Sequence, residues 1–385
     1  MAYFDFNATT PLNTAGRQSL VESLDSVWAN PSSPYTDSAR VHNRLEEARQ
    51  SLSDRFGGSL VDIVFTGGAT EANNSIIQYL ASKLPESSDI AQSPFEHPSV
   101  SVSAETIMKG RVHLLKSTPA GQIDLGDLTT VLDSGKIAAV SLMAVNNESG
   151  VIQPWQEAAK LCREAGVLFH CDASQWFGKC EGYEFSHCDF LVGCGHKFGG
   201  PKGVGFVALS ANCHGFQSQF GGGQESGRRG GTENVPSILS MVAALGDAES
   251  HLEKMRSQER FRDQFEKTLT SSIPGLKFIG QTVIRVPNTS FLIMPRFENV
   301  RWARKLDLRG FQVSTGSACS TGSAEVSPLL AALGYANDES RRTIRVSSGP
   351  DMLESDWESL AGAFEEVWDE MLESGNASNT EVISI

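Results

Sequence analysis

Residues 61–80 read VDIVFTGGATEANNSIIQYL, and the order of residue types in this stretch decides the fold. Val61 to Phe65 is a short apolar run with β-branched content. Thr66, Gly67, Gly68, Ala69, Thr70 and Glu71 follow, and Ile76 and Leu80 then recur at helical spacing. A strand, a glycine turn and a helix are the reading. Outward from this stretch the alternation continues. Ala138 to Met143, Val167 to Cys171, Phe190 to Gly193 and Gly203 to Leu209 are further apolar runs separated by helical or turn-rich segments. That pattern predicts an α/β fold with a mainly parallel sheet. Helices are predicted near 14–27 and 41–55, the second with Leu45, Ala48 and Leu52 on one side.

From about Pro236 to Leu269 the pattern turns helical and then strongly charged through Glu249, Glu253, Lys254, Arg256, Glu259 and Arg260. This suits a solvated helix leading away from the sheet. A boundary near 255 is expected, with 1–254 as a large domain including an N-terminal arm. Residues 255–373 form a smaller α+β domain, with short strands around Thr289 to Met294 and Thr343 to Val346 and two helices. Residues 374–385 read as a polar disordered tail. The length of 385 residues fits two domains.

Composition narrows the function. With 40% hydrophobic and 20% charged residues the chain is globular in type, and it holds no run long enough to span a bilayer. The residues after Met1 lack the order of a secretory signal, so a cytoplasmic location is expected. A formal net charge of -14 argues against a nucleic-acid partner, which needs a basic footprint. The seven cysteines, at 162, 171, 180, 188, 194, 213 and 319, are odd in number and form no CxxC pair. Neither a disulfide framework nor a zinc ribbon is indicated.

Four segments carry candidate chemistry. Gly67, Gly68, Ala69 and Thr70 set glycines and a hydroxyl at a helix start, where outward N–H groups receive a phosphate. An N-cap at Thr70 with an ordinary turn before it explains the same residues. Asp172, in His170-Cys171-Asp172-Ala173-Ser174-Gln175, ends a strand at the carboxyl edge, where open α/β sheets bind ligands. Lys197, in Gly195-His196-Lys197-Phe198-Gly199-Gly200, follows another strand, and a desolvated lysine there can form a Schiff base. A cap for Asp172 and a surface charge for Lys197 stay open as alternatives. A metal site at His170, Cys171 and Asp172 is disfavoured because adjacent strand residues face opposite ways. Cys319 lies in the small-residue loop Ser314 to Gly322, which leaves a thiol accessible as a nucleophile or is simply a turn. Arg345, on the last predicted strand, either clamps a substrate carboxylate or forms a structural ion pair.

Together and in this order the segments resemble the cysteine desulfurases of the NifS and IscS type, in the class V aminotransferase group of fold-type I pyridoxal-phosphate enzymes. The resemblance runs through DFNATTP at 5–11, Asn30 and Pro31, GGATEANN at 67–74, EHPSV at 96–100 and NNESGVIQP at 146–154. It continues through HCDASQ at 170–175, GHKFGGPKGVG at 195–205, GGGQESGRRGGTEN at 221–234 and GSACS at 316–320. It implies a large domain with a mainly parallel seven-stranded sheet, a smaller C-terminal domain carrying the Cys319 loop, and pyridoxal 5'-phosphate as cofactor. Lys197 would carry the Schiff base, Asp172 the pyridine nitrogen and Gln175 the phenolic oxygen, with His97 stacked on the ring and serving as proton carrier. Ala69, Thr70, Cys194 and His196 would hold the phosphate, and Thr232 would reach the partner subunit's phosphate. Asn147 would lie against cofactor and substrate, and Arg345 would take the substrate carboxylate.

The implied reaction takes sulfur from L-cysteine, leaves alanine, and stores the sulfur as a Cys319 persulfide for an acceptor protein. An iron-sulfur scaffold is one such acceptor, although the short tail lacks the extension some relatives use to hold one. A homodimer is also implied, with no nucleic-acid or membrane partner and no metal. Selenocysteine lyase activity and a non-catalytic scaffold role are the competing readings. Three positions depart from the family pattern: Cys194 where a phosphate-binding serine is usual, and Tyr35 and Ala144 where histidines are common. A thiol donates a much weaker hydrogen bond than a hydroxyl.

Overall fold

The computed structural model describes residues 1–56, 60–182, 184–316 and 327–380. The chain divides into two compact units, one of Thr9–Asn147 with Val151–Leu252, the other of Met1–Ala8, Glu148–Gly150 and Glu253–Ile385.

In the second of these, β1 (Ala2–Tyr3) comes from the N-terminal arm. The first contains β2 (Leu60–Thr66), β3 (Asp89–Gln92), β4 (Val112–Leu114), β5 (Ile137–Ser141), β6 (Leu168–Asp172), β7 (Phe190–Cys194) and β8 (Gly205–Ser210). These seven strands form one sheet in the order β2-β8-β7-β6-β5-β3-β4. Every pairing is parallel except those of β8, which runs antiparallel to both β2 and β7. The segment 195–204 that joins β7 to β8 is too short for a crossover helix, so the chain must reverse. Because β8 opposes both neighbours, β2 runs the same way as β7, and their carboxyl ends share one edge.

The central strands are mainly apolar, since helices cover both faces of a mainly parallel sheet; all five residues of β7 are buried. On one face the helix Ala69–Lys83 presents Ala72, Ile76, Ile77 and Leu80 to Val64, Val192, Val207 and Leu209. Two strands of this sheet escaped the sequence reading. β3 is only DIAQ, and β4 is an exposed edge strand, VHL, so neither shows an apolar run.

The other unit pairs β9 (Lys277–Phe278), β10 (Thr289–Ile293) and β12 (Thr343–Ser347) in the antiparallel order β12-β10-β9, and β1 with β11 (Phe311–Gln312) in parallel. Trp302, Trp357, Phe265 and Phe364 fill its core. The arm, expected with the large domain, groups here instead. Phe4 is fully buried with its ring 5.1 Å from that of Trp357, and Asn7 Nδ2 donates to Thr289 Oγ1 at 2.9 Å. Gly150 belongs to the same unit: at φ 73°, with an added Cβ only 2.8 Å from that of Thr289, it has to be glycine. The tail also differs from expectation, because the last helix runs Glu354–Thr380. A helix already nucleated on buried Phe364, Val367 and Met371 propagates at little cost.

Candidate active site

Three segments meet the carboxyl edge of the large sheet: the turn from β2 into the helix Ala69–Lys83, the end of β6 at Asp172, and the end of β7 at Cys194. Gly68 makes the first turn at φ 141°, and a Cβ there would meet nothing within 4 Å. Conformation, not space, calls for glycine at this point. No side chain caps the helix at Gly68. Thr70 is exposed on the first turn, and its carbonyl accepts from Asn74 Nδ2 at 2.8 Å.

Cys194 is fully buried, and its sulfur accepts the Ala69 backbone N–H. Burial pushes the thiol's pKa up, with Lys197 opposing, so the group stays neutral. After β7 a single 3-10 turn, Gly195–Lys197, sets out His196 and Lys197. The turn is pinned by Thr10: the His196 carbonyl accepts from the Thr10 N–H at 2.9 Å and hydroxyl at 3.1 Å, while the Gly199 N–H donates to Thr10 Oγ1 at 2.8 Å. Burial first, then Lys197, Lys202 and Lys179, push His196 down to about 4. At neutral pH it is an uncharged hydrogen-bonding ring.

Asp172 is buried. Its Oδ1 accepts the Ser174 N–H at 2.9 Å and its Oδ2 accepts Asn73 Nδ2 at 2.8 Å. Among the described residues no ion pair involves it. Gln175, also buried, accepts at Oε1 from the Lys179 ammonium. His97 caps the helix Pro98–Met108: Nδ1 accepts the Ser99 N–H at 3.1 Å and lies 2.8 Å from Ser99 Oγ. Burial lowers its pKa, opposed by Asp172 and reinforced by Lys197. Next to it, Glu96 accepts the Met143 N–H at Oε1 at 2.7 Å. Burial, reinforced by Asp172 and opposed by that hydrogen bond, pushes its carboxyl up to about 8.

The structure therefore gathers Ala69, His97, Asp172, Cys194, His196 and Lys197 within hydrogen-bonding or electrostatic reach of one another. Thr232 is exposed and lines, with Thr66, Gly67 and Arg229, an open cavity of about 60 Å³. Arg229 braces the phosphate-type turn through a two-point pair with Glu71, at 3.0 and 3.2 Å. Asn147 is half-buried in the turn after β5. In the other unit Arg345 is buried on β12, with Nη2 2.7 Å from Asp5 Oδ1, so the ion pair left open by the sequence is present. Cys319 lies outside the described residues. No cluster of metal-ligating side chains exists among the described residues. No helix among them is long and apolar enough to cross a membrane.

Sequence reasoning missed Glu96, Asn73, Ser99 and His170 as parts of this site. The signal for Asn73 was a polar residue on the buried face of a helix otherwise lined by Ala72, Ile76, Ile77 and Leu80.

Residues 2–360 match the family model described as Aminotransferase class-V. The chain belongs to that family. Among class-V relatives, Cysteine desulfurase 2 of Trichormus variabilis is 34% identical over 335 residues, covering 86% of this chain and 84% of that protein. The Cysteine desulfurase of Klebsiella pneumoniae is 34% identical over 351 residues, covering 90% and 87%. Among solved structures, a NifS-like protein from Rickettsia africae superposes with a TM-score of 0.86 at 28% identity, covering 96% of this chain and 99% of that one. A structure of SspA in complex with cysteine gives 0.77 at 28% identity, covering 92% and 100%.

Class-V aminotransferases are pyridoxal-phosphate enzymes, and the residues in place fit that group on two counts. A buried carboxylate that accepts from neutral donors and forms no ion pair among the described residues suits a protonated pyridine nitrogen. The uncapped helix start at Gly68, with neutral His196 and the exposed Thr70 hydroxyl, supplies donors for a phosphate.

Proposed function

We propose that this chain is a cysteine desulfurase that binds pyridoxal 5'-phosphate and passes the sulfur of L-cysteine to Cys319. The observation that carries the reading is the grouping of Lys197, Asp172 and neutral His97 at one sheet edge, and the cysteine desulfurase relatives support it. When bound, the cofactor supplies an electron sink at the substrate Cα. Asp172 holds positive charge on the ring nitrogen, Gln175 donates to the phenolic oxygen, and Ala69, Thr70, Cys194 and His196 hold the phosphate. Thr232 reaches the phosphate of a partner subunit in a homodimer. Arg345 and Asn147 bind the substrate carboxylate.

Lys197 is the base for the Cα proton, and His97 carries a proton at Nε2 to the carbon fragment. Cys319 thiolate attacks the substrate sulfur. The S–S bond forms as the substrate C–S bond breaks, and the carbon fragment takes up a proton and leaves as alanine. A sulfur-acceptor protein then discharges the persulfide.

The test is a spectrum of the purified protein with pyridoxal phosphate, followed by L-cysteine turnover to alanine, for wild type, Lys197→Ala and Cys319→Ala. Lys197-dependent absorbance with Cys319-dependent alanine release is expected. Absorbance without cysteine turnover transfers the assignment to selenocysteine or amino-group chemistry, and no cofactor binding overturns the reading altogether.

A further inference from the structure

Asn73 is fully buried on the second turn of the helix Ala69–Lys83, and every polar atom of its amide is used. Nδ2 carries two hydrogens. One goes to Asp172 Oδ2 at 2.8 Å and the other to Ser99 Oγ at 2.9 Å. Oδ1 lies 3.1 Å from His170 Nε2, whose partner nitrogen Nδ1 lies 2.9 Å from Ser141 Oγ. The proton directions along this chain are forced. A carboxylate only accepts, so the amide nitrogen must face Asp172 and the oxygen must face His170. His170 therefore bears its hydrogen on Nε2. Burial, with Asp172 opposing, pushes its pKa down to about 4, so it is neutral and accepts from Ser141 at Nδ1.

At the other end, Ser99 Oγ receives a hydrogen from Asn73 and turns its own toward His97 Nδ1, 2.8 Å away. The Ser99 backbone N–H reaches the same nitrogen at 3.1 Å. With two donors on Nδ1, the ring hydrogen of neutral His97 sits on Nε2.

We infer that Asn73, through Ser99, is a positioning residue that ties the Asp172 carboxylate to His97 and holds His97 as its Nε2–H tautomer. The inference rests on the reading above for the roles of Asp172 and His97. It adds that the two are set by one buried amide, so a change at Asn73 disturbs both. A merely structural core amide would fix neither the tautomer nor the proton transfer.

The test reads the tautomer directly, by long-range proton–nitrogen NMR of histidine-labelled protein without cofactor, with His97 assigned by its loss in His97→Gln. In wild type the two His97 ring nitrogens are expected to show the wide separation of a single Nε2–H form at neutral pH. Asn73→Ala and Ser99→Ala should narrow that separation toward the average of two tautomers. Ser99→Thr, which keeps the hydroxyl, should restore it. After loading with pyridoxal phosphate, Ser99→Ala should lose about tenfold in kcat for L-cysteine with KM nearly unchanged, a fraction of what positioned proton transfer supplies. Should Asn73→Ala fail to fold, the Ser99 pair carries the comparison. Wild-type separation in Ser99→Ala and in any folded Asn73→Ala overturns the inference. A fixed tautomer in a protein with no desulfurase activity overturns the functional reading and leaves the hydrogen-bond relay standing.

Discussion

Replacing Glu96 by glutamine should stabilise the protein at alkaline pH, against the usual expectation for a buried site. Glu96 is 2% exposed, and its carboxyl is pushed from an ordinary 4.5 to about 8. A carboxyl with a raised folded-state pKa contributes stability that is fully present below 4.5 and is lost as pH rises through 8. The whole difference, 3.5 pKa units, corresponds to about 5 kcal/mol. Between pH 5.5 and 7.5 the folded protein keeps most of this proton while the unfolded chain releases it, so the wild type loses roughly 2–3 kcal/mol from this group over the interval. Glutamine has no proton to lose and keeps an oxygen for the Met143 N–H. The difference in unfolding free energy, wild type minus Glu96→Gln, should therefore fall by that amount from pH 5.5 to 7.5, measured by urea unfolding followed through tryptophan fluorescence. Glu148, raised to about 7 by burial and hydrogen-bonded by Ser327, is present in both proteins and cancels. Parallel pH curves for the two proteins would refute the reasoning, as would an infrared spectrum with no protonated-carboxyl band lost between pH 6 and 9 in the wild type alone.

Cys194→Ser exchanges a weak thiol donor for a hydroxyl beside Ala69 and should tighten pyridoxal phosphate binding about tenfold, read by equilibrium titration of cofactor into stripped protein. Gly193→Ala would place a Cβ 2.5 Å from Phe206 Cζ and 2.8 Å from Phe177 Cε2, so it should cost about 1–3 kcal/mol, seen as a lower thermal midpoint. Arg285→Met leaves the Glu266 carboxylate buried without the guanidinium now 2.7 Å away and should cost about 3–5 kcal/mol in urea unfolding, most of it recovered by adding Glu266→Leu. Arg345→Lys should raise KM for L-cysteine at least tenfold with a smaller change in kcat, because an ammonium cannot reproduce a two-point grip on a carboxylate.

What the sequence made legible follows from burial. β5, β6, β7 and β8 lie inside a covered sheet, and β2, though an edge strand, is buried from Ile63 to Thr66, so each was readable as an apolar run; exposed edge strand β4 carried no such mark. Lys197 and Asp172 stood out because a charge at the end of an apolar strand has few structural uses. The relay through Asn73 was not legible, because its partners Ser99 and Asp172 lie 26 and 99 residues away and only the fold brings them to one amide. The choice between carboxylate clamp and ion pair at Arg345 was equally hidden, since Asp5 is 340 residues distant.

The arm also sets a timetable. Asn7 donates its backbone N–H to Ser347 Oγ across 340 residues of chain, and Phe6 donates to the Ser347 carbonyl. At 5–20 residues per second, Ala2–Asn7 leave the ribosome roughly 20–70 s before the strand that receives them. β1 waits nearly as long for its partner β11 at Phe311–Gln312, and loop closure over so long a separation makes the docking of the arm a late event. A nascent chain of this protein thus carries an aromatic, strand-forming tag for nearly its entire translation, which is the kind of segment that chaperones hold.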